Sequence, residues 1–411
     1  MPYNKVVTAA DMKKPLNLSS RAFVDNKYAY YHWLRTEAPV FKGKVSIFNV
    51  YMVSRYDDCV NVLKDPRFVR NQETAVGKRR FSVPLPKQVE LMMSSMINQD
   101  DPEHRRLRTL VHKAFTPRRL RHLHNRIETL THELLDKAEK KGQIDLRTAY
   151  ALPIPAIVIG EMVGVTEEEM PQFIASMNAV TNGLTGIKII KTMLWDVPKT
   201  NRFIRQLIAR KRTNLQDDIL SGLIEAEDEG SQLSDDELVS MVFLLITAGY
   251  ETTVDLITNA VQTLLTHPEA LQQLRDDPSL MASAVEEINR FNGPVHGTEM
   301  QYASEDIVLH GVTIPRGEIV YPLLGSANHD PDVFENPTVF DITREKNRHL
   351  GFGQGIHYCL GAPLARIETT IALRTLLERS PNLKLAIDPD QLKLQAIPIL
   401  HRYERLPVIL G

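Results

Sequence analysis

The chain has 411 residues, with 49 basic and 51 acidic side chains, 43% hydrophobic residues and two cysteines. Balanced charge gives no support to generic nucleic-acid binding, and two widely separated thiols, Cys59 and Cys359, form no disulfide framework. No window reaches the roughly 18 consecutive apolar residues of a membrane span, and the polar stretch around Lys5, Asp11, Lys13 and Lys14 has no signal-peptide pattern.

The expectation is a cytoplasmic, soluble protein, monomeric by default, with no linker, repeat or low-complexity tract dividing residues 1–411. Its elements are mostly helical. A strand-like run opens at 45–53. The stretch Asp101-Pro102-Glu103-His104-Arg105-Arg106-Leu107-Arg108 places His104 and Arg108 four apart, projecting together as a fork able to grip a carboxylate or phosphate. From Arg105 to Arg126 there are eight Lys/Arg residues and no acid, which alone reads as a solvated basic helix. Ser234-Asp235-Asp236-Glu237 reads as a capping box and predicts a helix to about Leu265, stopped by His267-Pro268. At 1.5 Å per residue that helix spans roughly 45–50 Å. Its middle, Met241 to Ala248, is apolar almost all round and is expected to be buried. A polar interruption follows: Gly249, Glu251, Thr252 and Thr253. Ala248, Glu251 and Thr252 share a helix face, and threonine hydroxyls bond back to carbonyls one turn earlier. A buried carboxylate beside a hydroxyl reads equally as a small groove with chemical work or as a structural hydrogen-bonded pair.

Further along, Glu287 and Arg290 lie three apart on a helix whose apolar side includes Met281, Val285 and Ile288; taken singly, they read as a modest surface ion pair. Short strands are predicted at 306–309, 312–314, 318–323, 397–400 and 406–410. The fold class is therefore mainly α with small β-sheets, an α+β arrangement. The most informative stretch is Phe352-Gly353-Gln354-Gly355-Ile356-His357-Tyr358-Cys359-Leu360-Gly361. Its three glycines allow positive φ and close backbone approach to something flat. Pro363 suits a first helical turn, and Leu364, Ile367, Ile371, Leu373 and Leu377 recur at helical spacing. A thiolate at Cys359 would face a helix N-terminus, an environment that lowers its pKa and suits a metal-ligating sulfur. A phosphate loop would need Lys and Ser/Thr after the glycines, and a structural zinc site about four Cys/His ligands; a dinucleotide fingerprint is missing.

Taken together and in this order, these features resemble one family, the cytochromes P-450 or haem-thiolate monooxygenases, over nearly the whole chain. His349-Leu350-Gly351-Phe352 through Gly361, continuing Ala362-Pro363-Leu364-Ala365-Arg366-Ile367-Glu368, fits the haem-binding signature of bacterial members. Ala248-Gly249-Tyr250-Glu251-Thr252-Thr253 fits the oxygen-activating motif of the central helix. Glu287 and Arg290 fit the family's helix pair. The meander Ala327-Asn328-His329-Asp330-Pro331 and Phe340-Asp341-Ile342-Thr343-Arg344 adds Arg344 to it.

The resemblance implies the cytochrome P-450 fold, a triangular prism with a long central helix over the haem, as a single haem domain without a fused reductase. It implies haem b with Cys359 as its proximal thiolate ligand and O2 as co-substrate, a ligation that favours O–O cleavage. Backbone amides after Cys359 would bond the sulfur and tune the metal. Phe352 would pack near the sulfur side of the ring, Gly361 and Ala248 belong to the cofactor's surroundings, and His104, Arg108 and His357 match the propionate partners. Glu251 and Thr252 match the acid–alcohol pair that delivers protons during oxygen activation. Two positions depart: Gln301 stands where the family usually has a propionate-contacting Arg, and His329 stands where Arg is more usual.

Electrons would come from a ferredoxin or flavodoxin with its NAD(P)H reductase, docking on the basic run from Arg105 to Arg126. Family comparison places Met93, Leu184, Leu245, Val295, His296 and Ile397 at the substrate, an apolar and adaptable lining suited to a fairly large lipophilic molecule. Core packing accounts equally for many of these residues. His296 and Glu299 are candidates to orient a polar group. The style most resembles soluble bacterial hydroxylases that tailor polyketides, macrolides and fatty acids. Two other functions stay open: oxidative coupling or ring formation on the same haem without oxygen insertion, and a non-catalytic haem sensor, against which Glu251 and Thr252 argue. Neither a nucleic acid nor a membrane is an expected partner.

Overall fold

The computed structural model describes residues 7–8, 16–77, 87–114, 117–183, 188–228, 233–398 and 400–411. Two compact units emerge. Met1–Arg80, Leu135–Thr148 and Asp255–Gly411 form the first, and Phe81–Leu134 with Ala149–Val254 the second.

Every strand among the described residues belongs to the first unit. The expected run at 45–53 is a hairpin rather than one strand. Val40–Val45 pairs antiparallel with Phe48–Val53, leaving Ser46 and Ile47 as the turn, with Ser46 at φ 55°. A two-residue turn without Gly or Pro is invisible to an alternation pattern. Phe48–Val53 then pairs parallel with Ile319–Pro322, which pairs antiparallel with Gln301–Ala303. Phe68–Val69 closes this five-stranded sheet, in register Phe68↔Ala303 and Val69↔Tyr302. Gln143–Asp145, Pro407–Ile409 and Lys384–Leu385 form a second sheet, and Ile307–Leu309 with Val312–Ile314 a hairpin. Among the described residues of the expected strand at 397–400 no ladder is seen; Leu400 makes an isolated bridge to Val295. Pro398 lacks the N–H that a ladder needs there.

The second unit is helical. Glu103–Ala114, Pro153–Met162, Met170–Gly183 and Val197–Thr213 pack with the beginning of the Asp235–Thr266 helix, whose end belongs to the first unit. That long helix starts as its sequence requires: Ser234 N–H donates to Glu237 Oε2 at 2.6 Å, and Glu237 N–H donates back to Ser234 Oγ at 3.2 Å. It ends before His267-Pro268, close to the expected stop. Length and composition alone would let it cross a membrane, but 67% of its most apolar stretch is buried within the fold. It is an interior helix.

Burial along it is not all-round, as its apolar middle led us to expect. Met241, Val242, Phe243, Ile246 and Tyr250 are buried, whereas Leu245 and Thr252 are half-buried and Ala248 is exposed. Residues 245, 248 and 252 fall on one side of a helix, and that side is incompletely buried.

Candidate active site

The cysteine loop is built in the first unit from backbone bonds that its glycines permit. Leu350 N–H donates to Asn328 Oδ1 at 2.7 Å, Gly353 N–H to Leu350 O at 2.8 Å, and Cys359 N–H to Phe352 O at 2.9 Å. Gly353 and Gly355 adopt φ of 67° and 73°. At Gly355 a Cβ would also fall 2.3 Å from Leu63 O, so conformation and space both demand glycine. Gly361 departs from the expectation of positive φ. It caps the Ala362–Arg379 helix at φ −81°, with Pro363 in the first turn. A Cβ on Gly353 or Gly361 would meet no protein atom within 4 Å, so both present bare backbone against which a flat group can lie.

Cys359 is half-buried, outside any disulfide, and directly precedes a helix N-terminus. That position favours a sulfur carrying negative charge. Among the described residues no three His, Cys, Asp or Glu side chains gather to hold a bare ion. One thiolate donor beside bare backbone fits a metal that brings its own planar ligand, such as haem. His357 is half-buried on the same loop. The other thiol, Cys59, is fully buried with Sγ 3.3 Å from Val53 O, and burial pushes its pKa up.

Phe352 is clamped from outside the loop. The Arg366 guanidinium lies 4.4 Å from its ring centroid, and Arg366 makes a two-pronged bond to Glu286 at 2.6 and 2.8 Å. His349 Nε2 lies 3.1 Å from the same carboxylate. Burial would raise the Glu286 carboxyl, but the bonds from Arg366 and His349 outweigh it and bring the pKa down to about 2.

Glu287 and Arg290 are no surface pair: both side chains are 0% exposed. Glu287 accepts from Arg290 Nε and Nη2 at 2.8 and 2.7 Å, from Arg344 Nε at 3.1 Å, from Asn347 Nδ2 at 3.0 Å and from the Asp341 amide at 3.1 Å. Arg290 also donates to the carbonyls of Asn328, Pro337 and Val339. The helix and the meander are thus joined through one carboxylate.

In the second unit, Ala248, Glu251 and Thr252 occupy consecutive turns of the long helix. Thr252 Oγ1 donates to Ala248 O at 2.6 Å, the expected back-bond. Glu251 is 4% exposed and accepts a 2.9 Å bond from Thr181 Oγ1, on the Met170–Gly183 helix. Sequence reasoning missed Thr181, because it lies 70 residues away and no local pattern marks it. A Cβ on Gly249 would come within 2.9 Å of Ile159 Cδ1, so this glycine admits a close neighbour.

His104 is buried and Arg108 half-buried on the Glu103–Ala114 helix. The basic run carries less unbalanced charge than its sequence implies. Arg105 bonds Asp101 at 2.8 Å, Arg106 bonds both Glu103 and Glu237, and Arg126 bonds Glu161 at 2.9 Å. Of the substrate-lining candidates, Leu184 and the Met93 side chain lie outside the described residues, while Leu245, Val295 and Ile397 are half-buried. His296, expected to orient a polar group of a substrate, is instead 3% exposed, with its ring engaged inside the first unit. Tyr31 OH is 3.1 Å from His296 Nδ1, and the His401 ring stacks on it at 5.0 Å and 28°. Lys27, His329 and His401 are buried beside it, a basic cluster that no sequence pattern announced. Burial holds all three imidazoles well below their usual pKa and brings Lys27 down to about 7.

Comparison with known proteins agrees with this geometry. The cytochrome P-450 family matches residues 17–391. The polyketide biosynthesis cytochrome P-450 PksS of Bacillus subtilis (strain 168) is 37% identical over 396 residues, covering 95% of this chain and 97% of its own. The cytochrome P-450 monooxygenase PikC of Streptomyces venezuelae is 36% identical over 405 residues, covering 98% and 95%. A crystal structure of P450BioI, in complex with an acyl carrier protein ligated to hexadec-9Z-enoic acid, superposes with a TM-score of 0.87 at 36% identity, covering 96% of this chain and 100% of that one. Matched by the family over residues 17–391 and by these relatives along nearly their full length, the chain belongs to the cytochrome P-450 family and is a monooxygenase of that family.

Proposed function

We propose that this chain inserts one oxygen atom from O2 into a fairly large lipophilic molecule, by hydroxylation or epoxidation, in secondary metabolism. The observation that carries this reading is Cys359, held at a helix N-terminus in a loop whose bare backbone suits a flat ring. Haem b, when bound through that thiolate, supplies the activation of O2. Phe352, stiffened by Arg366, together with Gly361 and Ala248 would hold the ring, and His104, Arg108 and His357 would bind its propionates. Glu251 and Thr252 would supply protons during oxygen activation, a positioned relay contributing about 10²–10⁴-fold. Thr181 donates to the Glu251 carboxylate, and the Thr252 hydroxyl donates to Ala248 O, which leaves its oxygen able to accept. The incompletely buried side with Leu245, Ala248 and Thr252 supports an apolar substrate lying along the helix, with Val295 and Ile397 as further lining. The polyketide and fatty-acyl chemistry in the relatives' names supports the same substrate class.

Reduced protein exposed to carbon monoxide should show the red-shifted Soret band of thiolate-ligated haem; its absence after porphyrin supplementation overturns the reading. Thr252→Ala should keep that band yet divert electrons into hydrogen peroxide, seen as reductant consumed without product. Equal coupling in that variant removes Thr252 from the relay. A product heavier by one oxygen, rather than lighter by two hydrogens, separates insertion from coupling.

On this reading the protein works in the cytoplasm as a monomer and is reduced by a ferredoxin or flavodoxin. Among the described cations of the basic run, Arg105 is well placed to meet a partner, with its side chain 78% exposed. Arg105→Glu should slow reduction by the partner, most at low salt. A reduction rate indifferent to both charge and salt moves the docking face elsewhere.

A further inference from the structure

Gln301 leaves the haem reading one cation short, and the sheet register identifies where a substitute stands. We propose that Arg70, directly after the neighbouring strand Phe68–Val69, is the propionate partner at this edge of the sheet, in place of residue 301. The proposal rests on haem binding at Cys359.

Phe68 pairs with Ala303 and Val69 with Tyr302 in an antiparallel ladder. One step past the last pair, Arg70 stands at the bend where its strand ends, next to the strand that carries Gln301. Phe68 and Ala303, two residues before Arg70 and two after Gln301, are buried members of one apolar cluster. Neither is a surface residue: Gln301 is 3% exposed and Arg70 8%. Arg70 Nη1 donates to Glu299 O at 2.6 Å, which anchors the guanidinium beside the strand carrying Gln301. The neutral side chain at 301 also follows from this placement. Arginines at both positions would set like charges close together in a buried setting, which is destabilising, so a single cation here is the stable arrangement. A guanidinium is well matched to a carboxylate, offering two parallel N–H donors.

The test uses holoprotein of the wild type, Arg70→Gln, and the double variant Arg70→Gln/Gln301→Arg, with haem-transfer rate to apomyoglobin and reduction potential as readouts. Arg70→Gln should lose haem about tenfold faster, the scale of one charge-assisted hydrogen bond, and its potential should fall because a cation that favours the reduced state is gone. The double variant, carrying the cation on the opposite strand, should return both quantities toward wild type. Unchanged haem loss and potential in Arg70→Gln would overturn the proposal. So would a double variant as impaired as the single one, since that pattern marks Arg70 as structural. If Arg70→Gln does not fold, the double variant decides alone: wild-type retention supports the relocated cation, and loss of haem refutes it. Failure of the wild type itself to show a thiolate-type Soret band would instead sink the haem reading.

Discussion

A buried carboxylate needs hydrogen-bond donors, and Glu251 receives one from Thr181 at 2.9 Å across two helices of the second unit. Thr181→Val keeps the shape and removes the donor. It should leave haem content intact while turnover falls several-fold, since a loosened Glu251 positions its proton less well, and the hydrogen bond itself is worth about 1 kcal/mol. Turnover matching the wild type across the pH range would show that Thr181 has no part in holding the acid. Placements that depend on local spacing were legible in the sequence: Cys359 ahead of the helix that Pro363 helps open, and Glu251 beside Thr252 on the long helix. Thr181, Arg70 and Lys27 were not, because each acquires its meaning from a partner on another element. His296 is the same lesson in reverse: its unusual character was visible, but its engagement with Tyr31 and His401 was not.

At the scale of elements, the Met281–Asn292 helix is fixed to the meander by Glu287, which binds two arginines with no exposure of its own. Removing that charge leaves Arg290 and Arg344 facing each other. Glu287→Gln should therefore destabilise the fold by about 3–5 kcal/mol, as the breaking of a buried pair typically does. Denaturant unfolding measures it, and a loss below about 1 kcal/mol would show that the carbonyls around Arg290 suffice. Spacing of three residues looks the same for a surface pair and for this one, so burial was not readable from the sequence. Helix limits were: the capping box at Ser234 and the His267-Pro268 stop bracket the long helix within a residue or two. Strands fared less well. The turn at Ser46–Ile47 lacks the usual residues, and the short Phe68–Val69 strand exists through its pairing alone.

For the whole molecule, the cluster of Lys27, His296, His329 and His401 couples stability to pH. Burial first, then repulsion from Lys27 and neighbouring imidazoles, disfavours imidazolium at His296 and His401; burial and Arg290, Arg35 and Arg344 do so at His329. Unfolded, each His returns to about 6.5 and Lys27 to about 10.5. Below about pH 6.5 the unfolded chain takes up protons that the folded chain refuses, so stability falls with pH, by up to about 1.4 kcal/mol per pH unit for each His. The Lys27 penalty grows from about pH 10.5 down to about 7 and is complete below that, in the same direction. Acidification from about pH 7.5 to about pH 5.5 should lower the denaturation midpoint, and Lys27→Met should stabilise the neutral protein by on the order of a few kcal/mol. A flat midpoint together with an unimproved Lys27→Met would discharge the cluster from this role.

The two sulfurs differ in a way that lends itself to counting. Cys59 is sealed in the core with its acidity suppressed, whereas Cys359 is partly open to solvent and beside a helix start. An alkylating reagent applied to the native chain would thus find one target, and coordination by a metal would hide it. The number of tags per polypeptide, read by mass, then equals the fraction of molecules that lack their prosthetic group, with no optical measurement required.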